Sequence, residues 1–366
     1  MIMPAAAHTR PATPAAGLPV PLARVLAEVT GGLAPVPIRH LPVPEAEYAV
    51  LAQDLVVPSP VPARAVALRR GVAVLAADTL GAAPYSPLPL PAVPPLVDAG
   101  QALPPGTDAV LPQEAITVAG SLAEAQDSAS PGLWARRVGE DARACTVLRR
   151  AGEQVRSRDL ALANAAGIPE CDVRSPRVLL AVAAPSSAAA QLVGMLARAA
   201  SAQVRRADTT LGRIDQADLV FGIGDVRNLL GKLAGKGARV IANRLALRSG
   251  EDGAVLKCGT VPVVLAPDRV ADALAVWLAV GLPVLRALAG AVSPSKHSLP
   301  LTRKISSGVG MAEIALLRIA GNRFEPLATG DFPLAAIAAA DAWMLLAPES
   351  EGVAAGETVG AELLLQ

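Results

Sequence analysis

Between Pro176 and Gly290, short runs that are apolar throughout alternate with segments whose apolar residues recur at helical spacing. Arg177 to Ala183 is a run of strand length, and the Ala-rich segment after Pro185 places Leu192, Met195, Leu196 and Ala199 on one helical face. Ala217 to Gly222, Arg239 to Ala242 and Val261 to Leu265 read as further strands, and Leu229 to Leu233 as part of a second helix. Asp268 to Leu288 reads as a long apolar helix that closes the unit. Strands that are apolar on both faces and alternate with helices predict an α/β unit built on a parallel sheet covered on both sides. Ligands of such a sheet lie beyond the carboxyl ends of its strands.

On either side the pattern changes. Leu22, Val25, Leu26 and Val29 share a helical face that ends at Gly31-Gly32, and Pro44 to about Leu51 reads as a second helix. From Pro58 to Pro112, twelve prolines break the chain into short runs, which suits a small β domain and excludes long helices. Val72 to Ala76 and Ala109 to Pro112 are its clearest strands. Ser121 to Pro131 reads as a polar loop, Trp134 to Val138 as a returning strand, and Leu160 to Ala166, closed by Gly167, as a short helix. Downstream, Ala312 to Ile319 and Arg323 to Leu327 flank Gly321-Asn322, a hairpin signal. Trp343 to Leu346 and Glu362 to Leu365 are further apolar runs, separated by a turn region from Gly352 to Gly360.

The expected organisation is α/β plus β, in several domains. A tail covers 1–18, a helical or mixed domain 19–57 and 139–175, and an inserted small β domain 58–138. The α/β domain covers 176–290, and a β barrel or small sandwich covers 291–366.

Composition narrows the function classes. Thirty-three basic against 32 acidic residues leave a formal charge of +1, so no electrostatic footprint points to nucleic acid or an anionic membrane. Cys145, Cys171 and Cys258 are far apart and form no C-x-x-C pair, which argues against a disulfide framework or a cysteine zinc site and fits a reducing compartment. His8, His40 and His297 lack metal-ligand spacing. Met1 to Gly17 has no continuous apolar core, so it reads as a frayed tail and not a signal peptide. Ala273 to Leu285, roughly 13 residues, reads as a buried helix too short to span a bilayer. The expected location is the cytoplasm.

Leu103 to Glu114 reads L-P-P-G-T-D-A-V-L-P-Q-E. It resembles the L-P-x-G-A-D-A-V-V…E segment of the molybdopterin molybdenumtransferase family, the bacterial MoeA type also found as the gephyrin E domain. Other segments follow in that family's order. Ala76 to Gly81 is similar to the stretch after its M-D-G-Y-A-V, and Val138 to Asp141 followed by Leu148 to Gly152 resembles its G-E-D…L-L-x-x-G. Ser175 to Val178 and Leu282 to Gly290 resemble the start and end of its third domain, and Glu351 to Glu357 the turn before its last strand.

The resemblance implies an elongated protomer, paired as a homodimer, with a parallel-sheet α/β domain and a C-terminal β barrel. It implies a cleft between the α/β domain of one protomer and the first two domains of the other. It also implies an activity, molybdopterin molybdotransferase, in which adenylylated molybdopterin and molybdate react with the help of a divalent cation. Molybdopterin and Mg²⁺ are the ligands this implies.

The chain departs from the family where the chemistry lies. The family's S-A-M-D-G-Y-A-V becomes Ala67 to Val74, with Arg70 at the acidic position. S-T-G-D-E-L becomes Ala181 to Ser186, without either carboxylate, and T-T-G-G-x-S-x-G-x-x-D becomes Gly222 to Arg227, which loses the serine. L-P-G-N-P becomes Ala266 to Val270. Mg²⁺ is held by carboxylates together with substrate phosphates, so an arginine in place of an acid removes a ligand and adds a like charge.

By family position, the ligand-binding candidates are Arg70, Thr107, Asp108, Asp141, Gly224, Asp225, Arg227, Pro267, Asp268 and Arg269; none is assigned as catalytic or as a metal ligand. Arg70, Arg227 and Arg269 suit a phosphate-bearing pterin or nucleotide, or they occupy a solvated rim. Gly222-x-Gly224 can cradle phosphate, but it lacks the third glycine of a dinucleotide fingerprint and the lysine of a P-loop. Asp225 is either a cleft carboxylate or, more commonly at such a position, a helix N-cap. Asp108 and Asp141 are open to turn roles as well.

Two functions are therefore expected. One is a divergent molybdenum cofactor biosynthesis protein with weak or no metal insertion, a pseudoenzyme that binds an anionic pterin or nucleotide. The other is a non-catalytic assembly, carrier or regulatory partner of a molybdenum or tungsten enzyme, or of an intact family paralogue.

Overall fold

The structure is a computed structural model that describes residues 17–212 and 214–364, so the tail expected over 1–18 lies outside it apart from Gly17 and Leu18. The central sheet has six strands: β1 (Arg177–Val182), β2 (Gln203–Ala207), β3 (Leu219–Ile223), β4 (Arg239–Ala242), β5 (Ala254–Cys258) and β6 (Val261–Ala266). Their order is β2-β1-β3-β6-β5-β4. The parallel sheet expected from the sequence holds only for β2, β1, β3 and β6, because β5 runs antiparallel to both β6 and β4. Only Gly259 and Thr260 separate β5 from β6, and a parallel return needs a crossover of about a dozen residues. Gly259, at φ 61°, supplies the left-handed turn of that hairpin.

Both faces of β1, β3 and β6 are covered, which is why these strands are apolar throughout apart from the exposed Arg177 at the start of β1. Val178, Leu180, Leu219, Phe221, Ile223 and Val264 face one core, while Leu179, Ala181, Val220, Val263 and Leu265 face the other. The first core is closed by α1 (Leu22–Thr30), α3 (Ala188–Ala199) and α5 (Val270–Ala289), and the second by α4 (Val226–Gly235). Helix α2 (Ser157–Ala165) lies outside this sheet. The apolar face of α1 packs on α5, β4 and β5, so α1 joins the α/β core and not the strands that follow it in sequence.

Helix α5 matches the long helix expected over 268–288, but its apolar stretch is longer than the 13-residue window read from the sequence. It runs for 20 residues with mean hydropathy 1.7, long and apolar enough by those measures to cross a membrane, yet Val276, Val280, Val284 and Leu285 are fully buried in the core. Trp277 to Gly281 form a π-helical turn within it. There the Trp277 ring meets Phe221 edge-on, with centroids 5.5 Å apart. A Cβ on Gly281 would lie 2.6 Å from the Trp277 ring, so only glycine fits under the indole.

The helix expected from Pro44 to Leu51 does not form. A single 3₁₀ turn, Val43–Glu45, is followed by the strand Val50–Leu51, because Tyr48 takes φ 63° and the Leu51 N–H donates to the Glu153 carbonyl. Residues 39–56 and 147–174 combine short strands with α2, and Arg39–Pro42, Glu170–Arg174 and Val50–Leu51 form one antiparallel sheet. Between them lie three small sheets whose strands run from Val66 to Arg136. The polar loop expected at 121–131 begins with a strand, Leu122–Ala125, paired to Ile116–Ala119 across Gly120-Ser121. Its buried positions are Ala123 and Ala125, too small to register as an apolar alternation.

At the C-terminal end, β7 (His297–Pro300), β8 (Glu313–Ala320), β9 (Arg323–Thr329), β10 (Ala342–Leu346) and β11 (Thr358–Leu363) form an antiparallel sheet in the order β7-β11-β10-β8-β9. The Thr302 N–H donates to the Phe324 carbonyl at 2.8 Å, so the segment after β7 reaches β9 and the two sheet edges meet.

Two measurements follow from this packing. Phe221→Ala removes a fully buried ring and leaves a cavity against Trp277, and the stability read from urea unfolding should fall by about 3–5 kcal/mol. Asp159 is 5% exposed and accepts two bonds from Arg149, at 2.8 and 3.2 Å. Burial pushes its carboxyl pKa up, but the Arg149 bonds and the Arg156 backbone N–H outweigh that and hold it below the usual carboxylate value. Its contribution to stability is therefore complete above the unfolded pKa of about 3.9 and is lost as pH falls through the lower folded value. Asp159→Asn should remove that part of the acid limb from a pH series of melting temperatures.

Candidate functional site

Because β1, β3 and β6 are neighbours, their carboxyl ends bring three loops to one edge of the sheet: 183–187, 224–225 and 267–269. The loops are bonded to one another. The Ala183 N–H donates to the Ile223 carbonyl at 3.3 Å and the Gly224 N–H to the Ala266 carbonyl at 3.1 Å. Gly224 takes φ 152°, and a Cβ there would lie 3.1 Å from that of Ala183, so the close approach of the first two loops requires glycine.

The polar side chains at this edge are occupied with one another. Ser187, at the N-cap of α3, accepts from the Ala190 N–H at 3.0 Å and donates its hydroxyl hydrogen to Asp268 at 2.5 Å. Asp225 caps α4 by accepting from the Asn228 N–H at 3.1 Å, so the structure gives it the capping role. Arg269 is paired with Asp331 and lies 3.4 Å from Asp272. Burial pushes the Asp272 carboxyl up; Arg269 opposes this, while Asp331 and Asp252 add to it. Arg227, in the first turn of α4, is exposed, and Pro267 is half-buried.

Gly224, Asp225, Arg227, Pro267, Asp268 and Arg269 thus share one edge. Arg70, Thr107, Asp108 and Asp141 lie apart from it, within the small sheets. Arg70 is 3.6 Å from Asp98, the Thr107 hydroxyl donates to the Pro104 carbonyl at 2.8 Å, and Asp108 accepts from the Ala76 N–H at 2.7 Å. Asp141 is paired with Arg136 at 2.8 Å. No hydrogen bond or ion pair among the described residues joins these four to the strand-end loops.

Ser187 is the residue the sequence reading passed over, although a serine just before an apolar helical run is an N-cap signal. Asp331 lies far along the chain from Arg269, and no local pattern announces their pairing.

No three His, Cys, Asp or Glu side chains among the described residues gather closely enough to hold a metal ion. At the strand ends, Asp225 and Asp268 already accept bonds from their own chain. Each bond uses one oxygen of the carboxylate, so a divalent cation at this edge would have at most two carboxylates of one chain, Asp225 and Asp268, and would take its remaining ligands from elsewhere. Two clefts, of about 400 and 690 Å³, open elsewhere, against β1 and β2 and against α5.

Residues 20–167 match the family described as the MoeA N-terminal region (domain I and II). A curated relative, molybdopterin molybdenumtransferase 2 of Mycobacterium tuberculosis, is 30% identical over 183 residues. That match covers 45% of this chain, and the chain spans only 44% of the relative's length. Two solved structures of molybdopterin biosynthesis MoeA proteins from Pyrococcus horikoshii share the fold. One has TM-score 0.71 and 21% identity over 95% of this chain and 100% of that one; the other has 0.69 and 20% over 94% and 100%.

Ser187→Ala removes both the cap of α3 and the hydroxyl donor to Asp268. Thermal or urea unfolding should show a loss of about 1–2 kcal/mol, with Ser187→Thr retaining most of the stability.

Proposed function

We propose, from the premise that this chain belongs to the MoeA family, that it is a divergent molybdenum cofactor biosynthesis protein with weak or no metal insertion, and that it binds an anionic pterin or nucleotide at the strand-end edge. The observation that carries this reading is the internal use of the edge's charges. Asp225 caps a helix, Asp268 accepts the Ser187 hydroxyl, and Arg269 is neutralised by Asp331. A catalytic cation would have to share those two carboxylates with the bonds they already accept. An anionic ligand would still meet the exposed Arg227 guanidinium beside the Gly224 turn. Arg70, Thr107, Asp108 and Asp141 belong to the ligand site only if a second protomer supplies them. The reading therefore includes a homodimer, a cytoplasmic location and the five-part domain division.

One observation favours a second reading. The N-termini of α3 and α4, where an anion would sit, are both capped by the chain's own side chains, and the Asp225 carboxylate repels an incoming phosphate. On this reading the chain is a non-catalytic assembly, carrier or regulatory partner of a molybdenum or tungsten enzyme, or of an intact family paralogue.

Calorimetric titration with molybdopterin and with its adenylylated form at low salt separates the two. Ligand holding predicts saturable binding that Arg227→Ala weakens about tenfold or more, the loss expected for a charge-assisted bond. No saturable binding would remove the ligand-holding reading and leave the partner role.

A further inference from the structure

The larger cleft, of about 690 Å³, lies where the loop before α2, the end of α3, helix α5 and the segment 291–297 meet. That volume is within the range of small-molecule sites, roughly 300–1,000 Å³. Its floor is apolar, with Leu196, Trp277, Leu278 and Leu282. Four arginines line it: Arg149, Arg156, Arg158 and Arg286.

Two of these guanidinium groups are fixed in place. Arg149 is held by Asp159 and lies 3.6 Å from Glu153, and Arg286 is paired with Glu362 at 2.7 Å. The other two are exposed. Arg158 lies 4.0 Å from the Asp159 carboxylate that Arg149 already occupies, and Arg156 has no carboxylate partner among the described residues. Arg174 is not part of the lining; its guanidinium lies beside Gly290, and its Nε is buried without a hydrogen-bond partner. The four lining arginines thus outnumber the three carboxylates beside them, Glu153, Asp159 and Glu362, in a chain whose formal charge is only +1.

The geometry points to this cleft as a binding site for an organic phosphate, a dianionic phosphate group carried on an apolar body. The two exposed guanidinium groups, Arg156 and Arg158, provide two positive charges for a phosphate dianion, and guanidinium forks bind its oxygens in bidentate fashion. The apolar floor takes the remainder of the ligand and excludes water, which strengthens the charge pairing. Free Arg156 and Arg158 supply the mobile donors, and Arg149 and Arg286 present a fixed positive wall. The cleft is separate from the strand-end edge and takes no part in the function proposed there.

Calorimetry on the full chain at low salt tests this with naphthyl phosphate, naphthol and inorganic phosphate as probes. Naphthyl phosphate should bind saturably, with both partial probes at least about tenfold weaker. The double variant Arg156→Ala/Arg158→Ala, at two exposed positions, should lose about tenfold or more in affinity while melting at the parent temperature. Arg227→Ala should leave this binding unchanged, which keeps the result independent of the strand-end site. Absence of saturable binding, or equal affinity in the double variant, would overturn the assignment. So would sedimentation showing that the cleft is occupied by a second copy that the double variant releases.

Discussion

The edge-on contact between Phe221 and Trp277 fixes the rest of the α/β unit. Aromatic residues are only 2% of the chain, so most of the core is Ala, Val and Leu, whose small volumes give shallow relief. The one deep interlock is the indole lying over β3 with Gly281 beneath it, where any Cβ would collide with the ring. It sets the position of α5 over the sheet, and the start of α5 carries the 267–269 loop. Gly222 adds to the constraint from within β3, since a Cβ there would lie 2.7 Å from Leu265 in β6. Interiors packed at this density transmit displacement instead of absorbing it. The relative placement of the strand-end loops is thus a consequence of core packing.

At that edge the polar groups satisfy each other. Ser187 uses its hydroxyl both as acceptor and as donor, Asp225 and Asp268 each accept a bond from their own chain, and Arg269 bridges to Asp331 and Asp272. Such an arrangement stabilises helix ends and loops, and it leaves few free ligands for chemistry. The chain keeps the architecture shared with the Pyrococcus MoeA structures while its strand-end side chains serve local structure. An excess of positive charge lies instead in the cleft against α5, where arginines outnumber the carboxylates near them.

Much of this was legible in the sequence, for physical reasons that can be named. Strands β1, β3 and β6 showed themselves because burial on both faces leaves them apolar beyond the exposed Arg177. The hairpin at Gly321-Asn322 was visible in its turn residues, and it joins β8 to β9. Strand β5 was missed because Ala254 to Cys258 is short and ends in Lys257-Cys258, and with it the antiparallel half of the sheet. The Pro44 to Leu51 segment was misread because a proline at a first turn signals a helix start, whereas Tyr48 in a left-handed conformation and pairing with 173–174 decide the outcome. At the site, the Asp225 cap could be read locally. The Ser187–Asp268 and Arg269–Asp331 pairs join residues 81 and 62 positions apart, which only the tertiary fold brings together.

The proposal that this chain inserts little or no metal is tested most directly by complementation. The chain is expressed in cells that lack their own molybdopterin molybdenumtransferase, and the activity of an endogenous molybdenum enzyme is measured. Because the described residues bring no three metal-binding side chains together and the strand-end carboxylates already serve as cap and loop acceptors, that activity should stay at the level of the deficient cells even with excess molybdate. Restoration to the level given by an intact transferase would contradict it.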